Sequence, residues 1–161
     1  MNNGFYLEDA IDVIDEILES GGTLRLYPRG TSMLPLIVEG RDSVELKAYD
    51  REPEPKDIAF YKRDNGQFVL HRILETGNDG IYTMCGDNQT ALEKGIRREQ
   101  IIAFAEKIYR KDKILDSNKI RYKAYIFFWC FMPLRRVILF WRRCIGKIRR
   151  RFKKMFKKTV D

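Results

Sequence analysis

The chain has 161 residues, enough for one domain of ordinary size with an appendage. Hydrophobic residues make up 44% and charged residues 34%, a balance that excludes a disordered chain and is typical of a folded core. The net charge of +8 is uneven, because residues 111–161 hold 17 Lys/Arg and 3 Asp, which leaves 14 basic and 20 acidic residues in 1–110. The sequence therefore predicts an acidic domain with a strongly basic tail.

Cysteine and histidine usage argues against a disulfide framework and against a zinc site. The three cysteines, Cys85, Cys130 and Cys144, form no close pair, and His71 is the only histidine. The chain begins Met-Asn-Asn-Gly without a secretory signal, and it contains no apolar run of about 20 residues, the length that spans a bilayer. We therefore expect a cytoplasmic protein that needs no metal or other cofactor.

The N-terminal segment, residues 1–22, is predicted to hold an amphipathic helix. Between residues 7 and 20, apolar side chains recur at three- and four-residue steps, and acidic side chains occupy the other faces. Gly21-Gly22 ends the pattern. We expect this helix to pack on the domain that follows.

Residues 23–110 have the pattern of a mainly β domain. Short apolar runs alternate with turn clusters rich in Gly, Asn and Asp, and Asp64-Asn65-Gly66 between two such runs predicts a hairpin. Strands at roughly ten-residue spacing predict an all-β sheet or a distorted barrel. The predicted strands are Thr23–Tyr27, Ser43–Lys47, Ile58–Lys62, Phe68–Glu75, Ile81–Cys85 and Ile101–Tyr109.

Residues 111–161 are predicted to form a basic helical extension. Ala124–Met132 contains no charged residue, and Pro133 then interrupts the run. Beyond the proline, apolar residues recur with a helical period, while twelve Lys/Arg from Arg135 to Lys158 occupy the other faces.

This pattern in the tail favours a membrane surface as its partner. Apolar residues on one face enter the acyl boundary, and Lys/Arg on the others meet anionic lipid. A true span is disfavoured by Arg135-Arg136, since charged residues are costly at the bilayer centre. We expect residues 122–158 to bind an anionic membrane at the inner face of the plasma membrane. Packing on the protein's own domain or in a partner's groove is the second interpretation, and binding of nucleic acid is the third.

Three residues in the β domain have side chains suited to peptide hydrolysis. A serine hydroxyl becomes nucleophilic when a base removes its proton, and Ser32 follows Gly30, where the backbone can bend so that N–H groups face an oxyanion. His71 is the only side chain whose ordinary pKa suits base catalysis near neutrality. Asp87 could stabilise an imidazolium. Each residue alone also fits an ordinary role: a turn serine, a half-buried strand histidine and a turn-forming aspartate.

The order of the surrounding segments resembles the conserved boxes of type I signal peptidases. The boxes are Gly30–Pro35 (Gly-x-Ser-Met-x-Pro), Lys56–Tyr61, Val69–Ile73 with its His-Arg-Ile, and Gly86–Asn88. The resemblance spans roughly residues 23–109 of this chain. These peptidases share a clan with the SOS repressor, so the resemblance implies a coiled, mostly antiparallel β-sheet.

The resemblance also implies a role for each matching residue. Most bacterial members pair serine with lysine, whereas His71-Arg72 is similar to the endoplasmic-reticulum and archaeal branch, which uses serine, histidine and aspartate. Carried over by position, Ser32 is the nucleophile, His71 the general base and acid, and Asp87 the orienting carboxylate.

Further residues of the boxes have supporting or competing roles. Gly30, Thr31 and Met33 are expected to position the nucleophile and to supply backbone donors for the oxyanion. Two other carboxylates, Asp57 and Asp42, compete with Asp87 for the third catalytic role. Lys62 is the substitute base if the histidine assignment fails.

The sequence departs from the family pattern in three places. Gly30 replaces a serine whose hydroxyl helps to bind the oxyanion, Arg41 is inserted between Gly40 and Asp42, and no N-terminal membrane anchor is visible. We therefore expect a serine endopeptidase that processes a leader or precursor peptide and is held at the membrane by its basic tail. The alternative is a peptide-binding module of the same fold without catalytic activity.

Overall fold

The structure is a computed structural model that describes residues 11–48, 51–77, 79–116 and 119–158, with the backbone alone described at 143, 147 and from 149 onward. Helix α1 spans Ile11–Glu19 and buries Ile14 and Leu18. Gly21 follows its last turn, and the positive φ of 79° at this glycine allows the N–H of Gly22 to reach the carbonyl of Ile17. The predicted amphipathic helix is confirmed from Ile11 onward, and its first four residues lie outside the described ranges.

Eight antiparallel strands form one sheet in the order β1-β2-β7-β3-β4-β5-β6, with β8 paired to β7. Turns with Gly at positive φ join several neighbours, and the Gly66 turn connects β3 to β4 as predicted. The strands are β1 Thr23–Leu26, β2 Asp42–Lys47, β3 Ile58–Lys62, β4 Phe68–Thr76, β5 Ile81–Cys85, β6 Glu93–Arg97, β7 Ile101–Arg110 and β8 Lys113–Ile114.

The mainly β architecture is confirmed, but the sheet is not closed into a barrel. Its two ends are β1 and β6, and no strand pairing within the described ranges joins them. The distorted-barrel alternative is therefore wrong. Two strands were not predicted: three of the five residues of β6 are charged and only Ile96 is a large apolar one, and β8 has only two residues, so neither shows a clear alternating pattern.

The sheet buries side chains on both of its faces. Along β3, Ile58 and Phe60 join a cluster that includes α1, while Ala59 and Tyr61 join a second cluster. Successive strand residues point to opposite faces, so β3 is apolar on both. This alternation places His71 on the face of Tyr61 and the next residue, Arg72, on the other.

The tail consists of two helices, α2 (Ile120–Cys130) and α3 (Met132–Lys158), whose axes differ by 94°. Pro133 lies in the first turn of α3, where its missing N–H interrupts no helical hydrogen bond. The helical extension is thus present, and Ile126 and Trp129 of α2 are buried against the domain.

Candidate active site

Ser32 lies in a tight turn that is anchored in the core. The N–H of Leu34 donates to the carbonyl of Thr31 (3.3 Å), and the N–H of Ile37 donates to that of Met33 (3.0 Å). Met33, Leu36 and Ile37 are buried in the same cluster as α1. The packing of Met33 therefore anchors the turn that carries the half-buried Ser32 in the core.

The backbone before Ser32 accounts for the glycine at position 30. Gly30 has a φ of 88°, a left-handed conformation that a serine adopts only with strain. Its N–H donates to the carboxylate of Glu39 at 3.0 Å and so is already occupied. Within the described ranges the N–H groups of Thr31 and Ser32 have no hydrogen-bond partner, so these two are the candidate oxyanion donors.

The turn that carries Ser32 is joined directly to the Gly86–Asn88 turn. The N–H of Asn88 donates to the carbonyl of Ser32 at 2.6 Å. A Cβ atom at Gly86 would lie 2.7 Å from the same carbonyl oxygen, closer than real Cβ atoms approach. A side chain at this position would force one of the two turns to move, and the hydrogen bond brings these two boxes together.

Asp87 is bound to Arg72 rather than to His71. The two side chains are fully buried and form a bidentate pair at 2.9 and 2.8 Å. Arg72 also donates to the carbonyl of Lys56 at 2.8 Å, and the N–H of Ile73 donates to the carbonyl of Asp57 at 2.8 Å. All four boxes are thereby connected by hydrogen bonds, with Arg72 at the centre.

The other two candidate carboxylates also have partners of their own. Asp42 is buried, accepts both arms of Arg41 and caps the N–H of Val38. Asp57 accepts from Arg51 at 2.7 Å. Asp42 and Asp57 therefore stabilise local turns, and the inserted Arg41 is accommodated by its ion pair with Asp42.

His71 is 3% exposed and contacts a tyrosine and a glutamate. Its Nδ1 lies 3.2 Å from the hydroxyl of Tyr61, which donates its own proton to Glu93 at 2.8 Å. The tyrosine oxygen is therefore the acceptor for Nδ1–H, which leaves the lone pair of the neutral ring on Nε2. Nε2 has no hydrogen-bond partner in the part of the chain that the structure describes.

The Tyr61–Glu93 pair is held in one ionisation state by its surroundings. Burial raises the pKa of the Tyr61 hydroxyl far above its usual value, and the hydrogen bond to Glu93 acts in the same direction. Burial also tends to raise the pKa of Glu93, but hydrogen bonds from Arg63 and Tyr61 lower it overall. Glu93 is thus a carboxylate 3.7 Å from the imidazole, and it was missed from the sequence.

Burial lowers the pKa of His71 from 6.5 to about 4, although the charge of Glu93 opposes the effect. The ring is therefore neutral at pH 7. In that state it can accept a proton, but it is a weaker base than an exposed histidine.

This lowered pKa predicts a loss of stability in acid. Above pH 6.5 the imidazole of His71 is mostly unprotonated in both the folded and the unfolded protein. As the pH falls towards 4, the unfolded chain binds the proton first. The unfolding free energy therefore decreases by a total of about 3 kcal/mol. His71→Gln should remove this pH-dependent loss of unfolding free energy. Urea unfolding of both proteins between pH 7 and pH 4 measures the difference, and parallel curves would contradict the assignment.

Ser32 and His71 are not joined directly. No hydrogen bond connects Ser32 Oγ to the imidazole among the described residues. Lys62, the substitute base, is exposed, and its ammonium lies over the ring of Phe68 at 5.2 Å. The structure thus joins the backbone of Ser32 to the Gly86–Asn88 turn, which contains Asp87, while the catalytic pair itself remains a prediction.

The tail helices cover the Asp87 side of this network. The hydroxyl of Tyr125 donates to the Asp87 carboxylate at 2.8 Å, and the indole of Trp129 donates to the Asp87 carbonyl at 2.6 Å. Arg135 is fully buried, donates to the carbonyl of Gly86 at 3.3 Å and leaves Nη2 unpaired, 3.9 Å from Asp87. Residues 120–135 therefore pack on the turn that carries Asp87. The charge pattern of the tail did not indicate this contact.

Comparisons of the chain with protein-family models, with curated proteins and with solved structures find no match. The part of the chain described here also contains no group of three or more His, Cys, Asp or Glu side chains that could hold a metal ion.

Proposed function

We propose that the protein is a serine endopeptidase in which Ser32 is the nucleophile and His71 the general base. The observation that supports this proposal is the hydrogen-bonded connection of four separate segments: the carbonyl of Ser32 accepts from Asn88, and the neighbouring Asp87 pairs with Arg72. The neutral His71, with its proton on Nδ1, adds the free lone pair that a general base needs.

In the proposed reaction, Ser32 Oγ attacks the carbonyl carbon of the scissile peptide while His71 Nε2 takes its proton. The N–H groups of Thr31 and Ser32 stabilise the resulting oxyanion. The imidazolium then protonates the leaving amine, the C–N bond breaks, and an acyl-enzyme remains on Oγ. Water activated by the neutral imidazole hydrolyses the ester and restores the serine.

Tyr61 and Glu93 are proposed to orient the imidazole, the role first given to Asp87. The Nδ1–H bond to Tyr61 fixes the tautomer, and the Glu93 charge favours the imidazolium that forms during attack. Asp87 instead acts as a positioning residue, because its pairing with Arg72 holds the Gly86–Asn88 turn against Ser32.

An extended peptide is the proposed substrate. Strand β1 pairs only with β2 in the described sheet, and Ser32 follows the end of this strand, Leu26, by six positions. A peptide added to this open edge would be held by backbone hydrogen bonds, with its scissile bond carried towards the nucleophile. Leader or precursor peptides have the unfolded segments that such binding requires.

The test is hydrolysis of a pool of unstructured peptides, with the products identified by mass spectrometry. Wild type should cleave a subset of the pool, and Ser32→Ala should cleave none of it. Ser20→Ala, which changes an exposed serine at the end of α1, should match wild type. Equal cleavage by Ser32→Ala would reject the proposed nucleophile.

A second candidate function is peptide binding without cleavage. It is favoured by the low pKa of His71, caused by burial, and by the missing bond between Ser32 Oγ and the imidazole among the described residues. In that case peptides from the pool should be retained intact by both wild type and Ser32→Ala.

Gly86→Ala should lower kcat of the proposed peptidase by about 10- to 100-fold, since displacement of the nucleophile by a fraction of an ångström has costs of this order. The added methyl would collide with the Ser32 carbonyl and move the turn. Gly146→Ala adds the same methyl where no atom lies within 4 Å, and it should leave kcat unchanged. Thermal unfolding of both variants checks that they remain folded; wild-type kcat in folded Gly86→Ala would contradict the prediction.

A further inference from the structure

We infer that the outward face of α2 and α3 is a docking surface for an anionic lipid bilayer. This lipid-binding face consists of exposed apolar side chains on both helices: Phe127, Phe128, Phe131, Val137, Phe140, Trp141, Ile145 and Ile148. Each of them is more than half exposed. A soluble protein seldom leaves so many large apolar groups together in water unless a partner covers them.

The orientation of α3 shows that its apolar stripe is not used for packing on the protein's own domain. Val137, Trp141 and Ile145 follow one another at four-residue steps and share one face. The buried residues of the same turns, Arg135 and Leu139, lie near the opposite side. The helix therefore presents Arg135 and Leu139 to the domain and its apolar stripe to solvent, which argues against intramolecular packing as the role of the stripe.

The charge of α3 identifies the kind of surface that would cover this stripe. Arg136 and Arg142 are exposed on its flanks, and the sequence has no acidic residue between Asp116 and Asp161. Anionic lipid supplies both an apolar interior and a negative surface, and each basic residue near it contributes about 1 kcal/mol. Exposed Trp141 suits the interfacial layer, where indole rings are enriched.

The same charges argue against two other partners. A symmetric pairing of two copies through this face would bring two polybasic helices together without a counter-charge. Nucleic acid would engage the Lys/Arg residues through its phosphates but would leave the aliphatic stripe in water. Of these three partners, a bilayer alone matches both the apolar stripe and the basic flanks of the helix.

The attachment of α2 to the domain sets how the face meets the membrane. No single helix among the described residues is long and apolar enough to cross a bilayer, and the bent pair Ile120–Cys130 and Met132–Gly146 meets the length and composition criteria only together. The bend is tied to the domain, since Trp129 donates to Asp87 and Arg135 is fully buried in protein. We therefore place the helices flat on the surface, with the domain on the aqueous side.

The experiment uses the full chain with vesicles of phosphatidylcholine, with and without phosphatidylglycerol. Protein should sediment with the anionic vesicles and stay in solution with the neutral ones. Trp141 reports contact, because Trp129 is already buried. Its emission should shift to shorter wavelength on binding, and Trp141→Phe should abolish the shift.

A matched pair of substitutions tests the face itself. Ile145 is 59% exposed within it, and Ile114 in β8 is 58% exposed outside it. Ile145→Glu should lower partitioning into anionic vesicles by about tenfold or more, since it loses apolar burial and adds repulsion. Ile114→Glu makes the same chemical change and should have less than about a twofold effect.

Three results would overturn the inference: no sedimentation with anionic vesicles, no Trp141 shift in the pelleted protein, or equal losses for the two isoleucine variants. Binding of duplex DNA that Ile145→Glu leaves intact, without vesicle binding, would assign the tail to nucleic acid instead. A dimer that Ile145→Glu dissociates, again without vesicle binding, would assign the face to a second copy. Ser32→Ala should bind vesicles like wild type, so failure here and failure of the proposed peptidase are separable.

Discussion

Asp87→Asn should lower the unfolding free energy by about 3–5 kcal/mol, the cost of removing one member of a buried ion pair. The substitution keeps the shape of the side chain but leaves the fully buried Arg72 without its counter-charge. The carboxylate that Tyr125 bonds is also replaced by an amide, so the contact with α2 weakens. Denaturant unfolding of wild type and variant measures the effect.

An exposed ion pair provides the control for this prediction. Asp64 pairs with Arg97 at 2.9 Å, but both side chains are largely in solvent. Asp64→Asn should therefore change the unfolding free energy far less than Asp87→Asn, because exposed pairs contribute little. Similar effects of the two substitutions would show that the buried network does not hold the fold together.

Ser32→Ala and His71→Gln should each reduce kcat of the proposed peptidase by about 10³-fold or more, as expected when either member of a serine–histidine pair is lost. Alanine removes the nucleophile, and glutamine keeps the size of the side chain but cannot accept the proton. Rates of cleavage of one peptide selected from the pool provide the measurement.

The double variant tests whether the two residues act in one step. Because removing either member already prevents proton transfer from Oγ, the double variant should be no slower than the slower single variant. A rate for the double variant equal to the product of the two losses would mean that the residues act independently. Wild-type activity in His71→Gln would point instead to another base, with Lys62 as the first candidate.

Local patterns were enough to predict most of the β domain. The Gly66 turn, the apolar runs of β3 and β5 and the Gly21 end of α1 each depend on a few neighbouring residues, and all of them appear in the structure. The sequence identified the Ser32 and Gly86–Asn88 segments but did not predict that they meet. The bond from Asn88 to Ser32 joins them in the structure.

Contacts between distant residues could not be predicted in this way. Glu93 reaches Tyr61 across 32 positions, from a strand with no alternating pattern of its own. Arg135 looked like one of many solvated charges, yet it is buried beside Cys85 and Gly86, 50 and 49 positions earlier. Such pairings depend on where the sheet and α2 place each side chain. Residue types and their spacing along the chain do not predict these positions.

Whether the sheet closes into a barrel could not be predicted from the sequence, for a similar reason. Strand number and spacing are alike in an open sheet and in a barrel, and the difference lies in whether the first and last strands pair. Here β1 and β6 remain the two ends. The open edge of β1 is what makes peptide addition next to Ser32 possible in the proposed mechanism.

The most direct test of Ser32 as a nucleophile activated by His71 is the site of reaction with a peptidyl diaryl phosphonate. Attack by the serine oxygen on phosphorus expels a phenol and leaves a stable adduct, which peptide mapping by mass spectrometry can locate. We predict an adduct on Ser32 in wild type and in Ser20→Ala, and none in Ser32→Ala or His71→Gln. An unmodified wild-type protein under conditions that label a known serine peptidase, or an adduct on a different serine, would contradict the proposed function.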